Sequence, residues 1–504
     1  MYPLSPQSLL FIFLLIIIYL SLYASKKKSS SNVAIKPFPC FGVLPEFIKN
    51  RHRFLDWSSE VLARLPTNTL DYHHPGKVHG IITANPLNVE HMLKSNFHNY
   101  PKGSRVTSYL EDFLGRGIFN ADGEIWKIQR KTASYEFNTK SLRNFFMKSV
   151  EEEIQTRLVP VLKRASVLNQ VVDMQDILER FSFDTVCRLS FNMDPGCLGS
   201  EGTTGTEFMN AFGEASTYSA GRFFYALPYM WRIKKALNIG SEKRMRKAIS
   251  IVHDFADDII KSRMKEKGEK EDTDDLLSRF IANESNSAEF LRDIIISFML
   301  AGRDTMTSSI TWFFWVLSSR SDVEGNILHE MKSIRNRNGT GSEAFNFDDM
   351  GQMHYLKAAL SESLRMYPPV PLDEKQCLQD DIMPDGTFVG KGWCVTYHAY
   401  AMGRMESIWG KDCLDFKPER WLENGICRQE SPFRFPAFHA GPRICLGKDV
   451  AHMQMKMVVA SVLSRFHLDL VDKYRAPKQI LSLTLRMKDG LPMRVRERCE
   501  AAID

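Results

Sequence analysis

No two of the nine cysteines are spaced as a C-x-x-C pair, and their number is odd. Neither a dithiol redox motif nor a disulfide framework therefore describes this 504-residue chain, and a reducing compartment suits it better. Finger, helix-turn-helix and RNA-binding signatures are also missing, so the formal charge of +6 gives no reason to expect a nucleic-acid partner. There is no internal repeat and no flavin or nicotinamide fingerprint. Beyond Glu46 there is no long apolar run of membrane-spanning type. The remainder is ordinary globular composition, 44% hydrophobic and 25% charged, enough to bury a large core. The mild basicity suits an acidic protein partner or an anionic membrane surface.

One long apolar run does occur, over residues 9–23, and Lys26, Lys27 and Lys28 follow it directly. A spanning helix needs roughly 20 residues, and this run with its margins just reaches the lower limit. No basic residue precedes it and no small-residue cleavage site follows, so an anchor is expected over 1–25 rather than a cleaved signal. The lysines place the rest of the chain in the cytosol by the positive-inside rule. Residues 26–45 are polar, then proline-rich at Pro37, Pro39 and Pro45, and read as a linker. Residues 46–504 read as one large, mainly helical domain with small β-sheets. Short β-type pieces are expected near 80–83, 386–389, 393–397 and 480–485, and polar connections at 199–206, 265–275 and 336–342.

The most informative segment spans residues 438–451, FHAGPRICLGKDVA. Gly441 and Pro442 mark a tight turn. Cys445 stands just before Gly447 and a helical run from about Lys448. A cysteine at a helix N-terminus is favoured as the thiolate, because the unpaired N–H groups and the dipole stabilise negative charge. A thiolate is one of the few protein ligands that haem iron accepts. Gly447 removes a side chain where a flat macrocycle must pack closely.

Phe438, Gly441, Arg443, Cys445 and Gly447 resemble the F-x-x-G-x-R-x-C-x-G haem loop of the cytochromes P-450. The resemblance implies Cys445 as axial ligand of a haem b (iron protoporphyrin IX), with Phe438 and Gly447 packed near it and Arg443 toward a propionate. Other segments appear in family order. Glu362 and Arg365 form E-x-x-R, a spacing that shares one helix face. The resemblance pairs them with Arg420 of FKPERW in a triad behind the cysteine loop. Trp126 and Arg130 of WKIQR, and Lys375 after PPVP, are implied as propionate partners.

AGRDT, residues 301–305, lies in an apolar helical run over 294–316. Ala301 and Gly302 are small and leave room above a macrocycle. The Thr305 hydroxyl can bond back to the carbonyl of Ala301 and open a groove for oxygen. Asp304 is an acid beside it, able to feed protons through water. Together they resemble the acid–alcohol pair of the family's oxygen-binding helix.

The implied activity is NADPH- and O2-dependent monooxygenation. Electrons then come from a separate flavoprotein, the NADPH-cytochrome reductase, with cytochrome b5 as a further donor. Lys127, Arg130, Lys131 and Lys448 are candidates for its basic docking face. The implied location is the endoplasmic reticulum membrane. Residues 181–198, AGRDT and the cysteine loop together resemble the plant fatty-acid ω-hydroxylase group, family 94. A hydrophobic fatty acid is the expected substrate. Jasmonoyl–amino acid conjugates and steroid side chains are the alternatives, and a haem-thiolate hydroperoxide isomerase or dehydratase is a more distant one. Val106, Phe119, Phe298, Val370, Leu372 and Leu483 are candidate pocket residues.

Overall fold

Apolar residues recurring every three to four positions wind most of the chain into helices. The structure, a computed structural model, describes residues 41–498 except 75–77, 139, 200–203, 226, 228, 267–275, 284–285 and 339–344, and before them 13–15, 18 and 35. Most of the expected anchor over 1–25 thus lies outside the described residues. Phe13, Leu14, Leu15 and Ile18 are helical and exposed. No helix among the described residues is long and apolar enough to cross a membrane.

Strands β1 (Thr69–His74) and β2 (Val78–Thr83) pair antiparallel, Thr69 opposite Thr83. Helices α1 (Gly103–Leu114) and α2 (Gly123–Asn138) follow. Helix α3 (Met174–Phe191) begins where the Asp173 carboxylate accepts from Gln175 N and ends on left-handed Asn192. Helices α4 (Thr204–Gly221) and α5 (Gly240–Glu266) pack on one another. Helix α6 (Ala288–Met299) starts at Ser287, whose hydroxyl accepts from Phe290 N. Then come α7 (Thr305–Leu317), α8 (His354–Met366), β3 (Asp373–Gln376), β4 (Cys394–Tyr397), α9 (Lys448–Leu463), β5 (Gln479–Leu481) and β6 (Leu485–Met487).

The main sheet has the order β1-β2-β4-β3. Its one parallel pair, β2 with β4, sets Ile81 beside Val395. A parallel pair needs a crossover connection, and here that connection is the helical body itself. Strand β3 pairs antiparallel with β4 and turns Lys375 fully inward.

Three expectations change in detail. The piece at 480–485 is two strands, β5 and β6, paired antiparallel about a turn at 482–484. The piece at 386–389 shrinks to Phe388–Val389, paired with Asp381–Ile382. Helix α4 starts at Thr204, α5 runs to Glu266 and a further helix to Asn338, so helices enter all three polar stretches.

The apolar run over 294–316 is helical throughout, with one interruption. Leu300–Asp304 is a π-turn joining α6 to α7, and AGRD falls inside it. Such turns widen a helix locally and frequently mark functional sites. A Cβ on Gly302 would lie 2.5 Å from Val186 Cγ2 of α3. Glycine there serves close helix packing first. The core forms two apolar clusters. One joins the main sheet to α7, α8 and α9, and the other lies among α1 and α3–α6.

Candidate active site

The sulfur of Cys445 opens into a cavity of about 390 Å³ between α7 and the loop 438–447. The loop's shape is set locally. Gly441 has φ +64°, and a Cβ there would sit 1.9 Å from Leu93 O, so only glycine fits. Cys445 N donates to Phe438 O at 2.8 Å and closes the loop. Helix α9 starts only at Lys448, with Gly447 as its cap, which leaves Cys445 ahead of the helix proper. Burial pushes the Cys445 thiol above its ordinary value; the Gly447 N–H, Arg130 and Lys448 oppose this without overcoming it. A metal cation would reverse the balance, since a coordinated thiol loses its proton.

Four cations gather where the cavity meets α2 and β3. Arg130 Nη2 donates to Ile444 O at 2.6 Å. Arg443 stacks on Trp126 at 4.4 Å and contacts Asp122 at 2.7 Å. Lys102 and Lys375 contact the two oxygens of Asp373 at 2.7 and 2.8 Å, and His439 Nε2 lies 3.2 Å from that carboxylate. Burial works to raise the Asp373 pKa, but Lys102, Lys375 and His439 prevail and hold it well below the carboxylate range. Lys375 is fully buried, and its Nζ has no hydrogen-bond partner beyond that contact. Two carboxylates, Asp122 and Asp373, face four basic groups, and burial brings the pKa of the Lys375 ammonium down to about 7, so the rim lacks anionic partners. A buried cation is tolerated only when paired. The two propionates of a haem would supply the missing charge, so the residues present fit that group.

On the other side, Thr305 Oγ1 donates to Ala301 O at 2.6 Å, and both residues line the cavity. Asp304 does not line it. Adjacent positions on a helix point about 100° apart, and the Asp304 carboxylate turns behind α7 onto Arg303 Nη1 at 2.8 Å. Arg303 also reaches Glu179 at 3.2 Å, while Asp304 Oδ2 is buried and has no hydrogen-bond partner. The acid stands behind the hydroxyl, a correction to the side-by-side expectation.

Of the expected pocket residues, Phe119, Phe298 and Val370 line the cavity. Val106 is buried in the α1–α6 cluster, Leu483 packs against that cluster, and Leu372 packs against the larger core. Ile118, next to Phe119 in the same expected segment, also lines the cavity, as do Val186 and Leu189, which carry no periodic mark in the sequence. Lys102 and His439 carry no mark in the sequence either, since only the fold brings them to Asp373.

Behind the loop, the Glu362 carboxylate accepts from Arg365 Nε and Nη2 at 2.7 and 2.8 Å, and from Arg420 Nε at 2.9 Å. Lys417 N and Trp421 Nε1 complete it, each at 2.8 Å. Burial acts to raise the Glu362 pKa, but Arg365, Lys417 N and Arg420 outweigh it and keep the carboxyl below its usual range. The Trp421 ring packs on Phe435 at 4.8 Å, which carries the triad's geometry into the residues leading to Phe438. Of the candidate docking residues, Arg130 points inward, and Lys127 pairs with exposed Glu124 at 2.6 Å.

A family model described as Cytochrome P-450 matches residues 34–490. Cytochrome P-450 CYP94D108 of Paris polyphylla is 50% identical over 480 residues, covering 95% of this chain and 93% of that protein. Cytochrome P-450 94B1 of Arabidopsis thaliana is 45% identical over 488 residues, covering 94% of each. Cytochrome P-450 94A1 of Vicia sativa is 43% identical over 473 residues, covering 92% of this chain and 90% of that protein.

Proposed function

This chain belongs to the cytochrome P-450 family, and on that premise we propose that it hydroxylates the terminal or near-terminal carbon of an alkyl chain, foremost a fatty acid. The family makes it a haem-thiolate monooxygenase, and members generally draw electrons from a reductase. The bound haem supplies oxygen activation and transfer of one oxygen atom to carbon. The side chains do the rest. Cys445 would bind the metal through its sulfur, Arg130, Arg443, Trp126 and Lys375 would hold the propionates, and Phe438 and Gly447 would pack beside the group. Thr305 holds a proton at Oγ1 on the cavity wall, and Asp304 could resupply it only once its carboxylate leaves Arg303.

One observation carries the substrate class. Away from the propionate rim, the described lining residues include Ile118, Phe119, Val186, Leu189, Phe298 and Val370, and none is charged. The charged lining residues Lys102, Arg130, Asp373 and Arg443 belong to the rim. A carboxylate would be costly to bury in that wall without a partner. The head group therefore stays outside and the alkyl end enters. The sequence resemblance to the ω-hydroxylase group supports the same reading.

The NADPH-cytochrome reductase is the proposed electron source, with residues 1–25 as a single-pass anchor in the endoplasmic reticulum membrane and the body cytosolic. Reductase-supplied membranes should be incubated with fatty acids, jasmonoyl-isoleucine and sterols, and the oxidised carbon mapped. Terminal or next-to-terminal hydroxylation of fatty acids is expected. Oxidation confined to the other two classes, or to mid-chain carbons, refutes the proposal.

A further inference from the structure

The cavity's roof includes Ile118 and Phe119, which lie on the connection between α1 and α2. A connection exposed on one side and facing a void on the other has little to hold it. This one is gripped from two helices. From α6, the buried Asp293 carboxylate accepts from Arg116 N at 2.8 Å. From α2, fully buried Gln129 donates through Nε2 to Arg116 O at 2.8 Å. A single peptide pair is thus held by two side chains from different elements. Asn120 Nδ2 adds bonds to Gly115 O at 2.8 Å and Thr107 O at 3.0 Å.

Two glycines let the segment come this close. Gly115 has φ +50°, and a Cβ on it would meet both Asp293 oxygens at 2.1 Å. A Cβ on Gly117 would meet Ser297 Oγ at 2.1 Å and Asp293 O at 2.7 Å. The segment lies directly on α6 one turn before the π-turn, and Gln129 sits between Trp126 and Arg130 on α2. Roof, propionate helix and oxygen-side helix are fastened at one point.

We propose that Asp293, opposed by Gln129, is the positioning residue that fixes Ile118 and Phe119 over the cavity and thereby decides which carbon of the chain is presented for oxidation. This rests on the alkyl-chain reading above. Asp293 touches neither substrate nor reacting atoms, and it acts through the roof. With the grip intact, Phe119 stays on the wall of the cavity that Ala301 and Thr305 also line, and a chain end is admitted in preference to a folded mid-chain. With the grip lost, the segment moves away and more of the chain is admitted.

The test uses the full-length holoenzyme with Asp293→Ala, Asp293→Asn and Gln129→Ala. Amide hydrogen exchange is followed at 116–120, and products are mapped carbon by carbon. Asp293→Ala should raise exchange of the Arg116 amide tenfold or more. It should also spread hydroxylation from the terminal carbon to several interior ones, with KM altered more than kcat. Asp293→Asn keeps a carbonyl that can accept from Arg116 N and should restore most of the terminal preference. Gln129→Ala removes the bond to the carbonyl of the same residue, Arg116. It should reproduce the spread, and it decides the matter if Asp293→Ala does not fold. Unchanged exchange in the alanine variants overturns the grip, and raised exchange with an unchanged product pattern overturns its role in selectivity. If the wild type oxidises no alkyl substrate, the proposed function fails. The grip is then judged by exchange together with the affinity for an alkylimidazole, which the alanine variants should weaken.

Discussion

Replacing Glu362 should be among the most damaging single changes in the chain. Its carboxylate takes five donors, two from Arg365 and one each from Arg420, Trp421 and Lys417 N. Arg365 is fully buried, and its remaining bonds go to carbonyls of Gly403, Cys413 and Asp415. Glu362→Ala leaves that guanidinium charged, buried and without a counter-ion, a cost of about 3–5 kcal/mol. Total stabilities are only about 5–15 kcal/mol. At about 3 kcal/mol per molar of urea, the unfolding midpoint should fall by about 1 M or more. The loop should loosen first, because Trp421 loses its bond while packed on Phe435. The absorption band of the thiolate-ligated carbon-monoxide complex should then decay at urea concentrations below global unfolding. The apolar pair Glu362→Leu with Arg365→Met should be more stable than Glu362→Ala, since removing both charges leaves neither stranded. A midpoint within about 0.2 M of wild type with an unchanged band would refute the reasoning.

Thr305→Ala should still bind substrate but release much of its reducing power as peroxide, with product per NADPH down roughly tenfold or more and Thr305→Ser largely retained; simultaneous peroxide and product assays decide it. Gly441→Ala forces a Cβ to within 1.9 Å of Leu93 O at a left-handed φ, so haem retention after gel filtration should collapse, while the exposed Gly386→Ala should keep it. His398 is fully buried between Ser58 Oγ and Ala401 N, and burial holds its pKa near 3 against an ordinary 6.5. The unfolded chain therefore takes up a proton below 6.5 that the folded one refuses. Lowering the pH from 6.5 to 5 should cost about 2 kcal/mol from this residue, and the slope of Tm against pH should flatten in His398→Gln.

The parts legible in the sequence are those in which chemistry and contact are local. The decamer ending at Gly447 carries its own turn, glycine and cysteine, and E-x-x-R puts Glu362 and Arg365 one helical turn apart. The Thr305-to-Ala301 bond is likewise a four-residue relation. What escaped depends on distant partners. A π-turn shares the apolar pattern of the helix around it, so Leu300–Asp304 left no periodic mark. The direction of Asp304 follows from Arg303 and Glu179, the latter more than a hundred residues away. The strand read at 480–485 is a hairpin whose turn at 482–484 has neither glycine nor proline, so its alternating pattern showed no break. Asp373 collects Lys102, Lys375 and His439 only once β3, the α1 entry and the cysteine loop are assembled.

The central claim is that Cys445 is the metal's axial thiolate. Its most direct test is the difference spectrum of the reduced, carbon-monoxide-bound protein, in wild type and in Cys445→Ser. The wild type should show the long-wavelength band of thiolate ligation, and the serine variant should lose it while its far-ultraviolet dichroism stays native. A well-folded wild type without that band, or a serine variant that keeps it, would contradict the account.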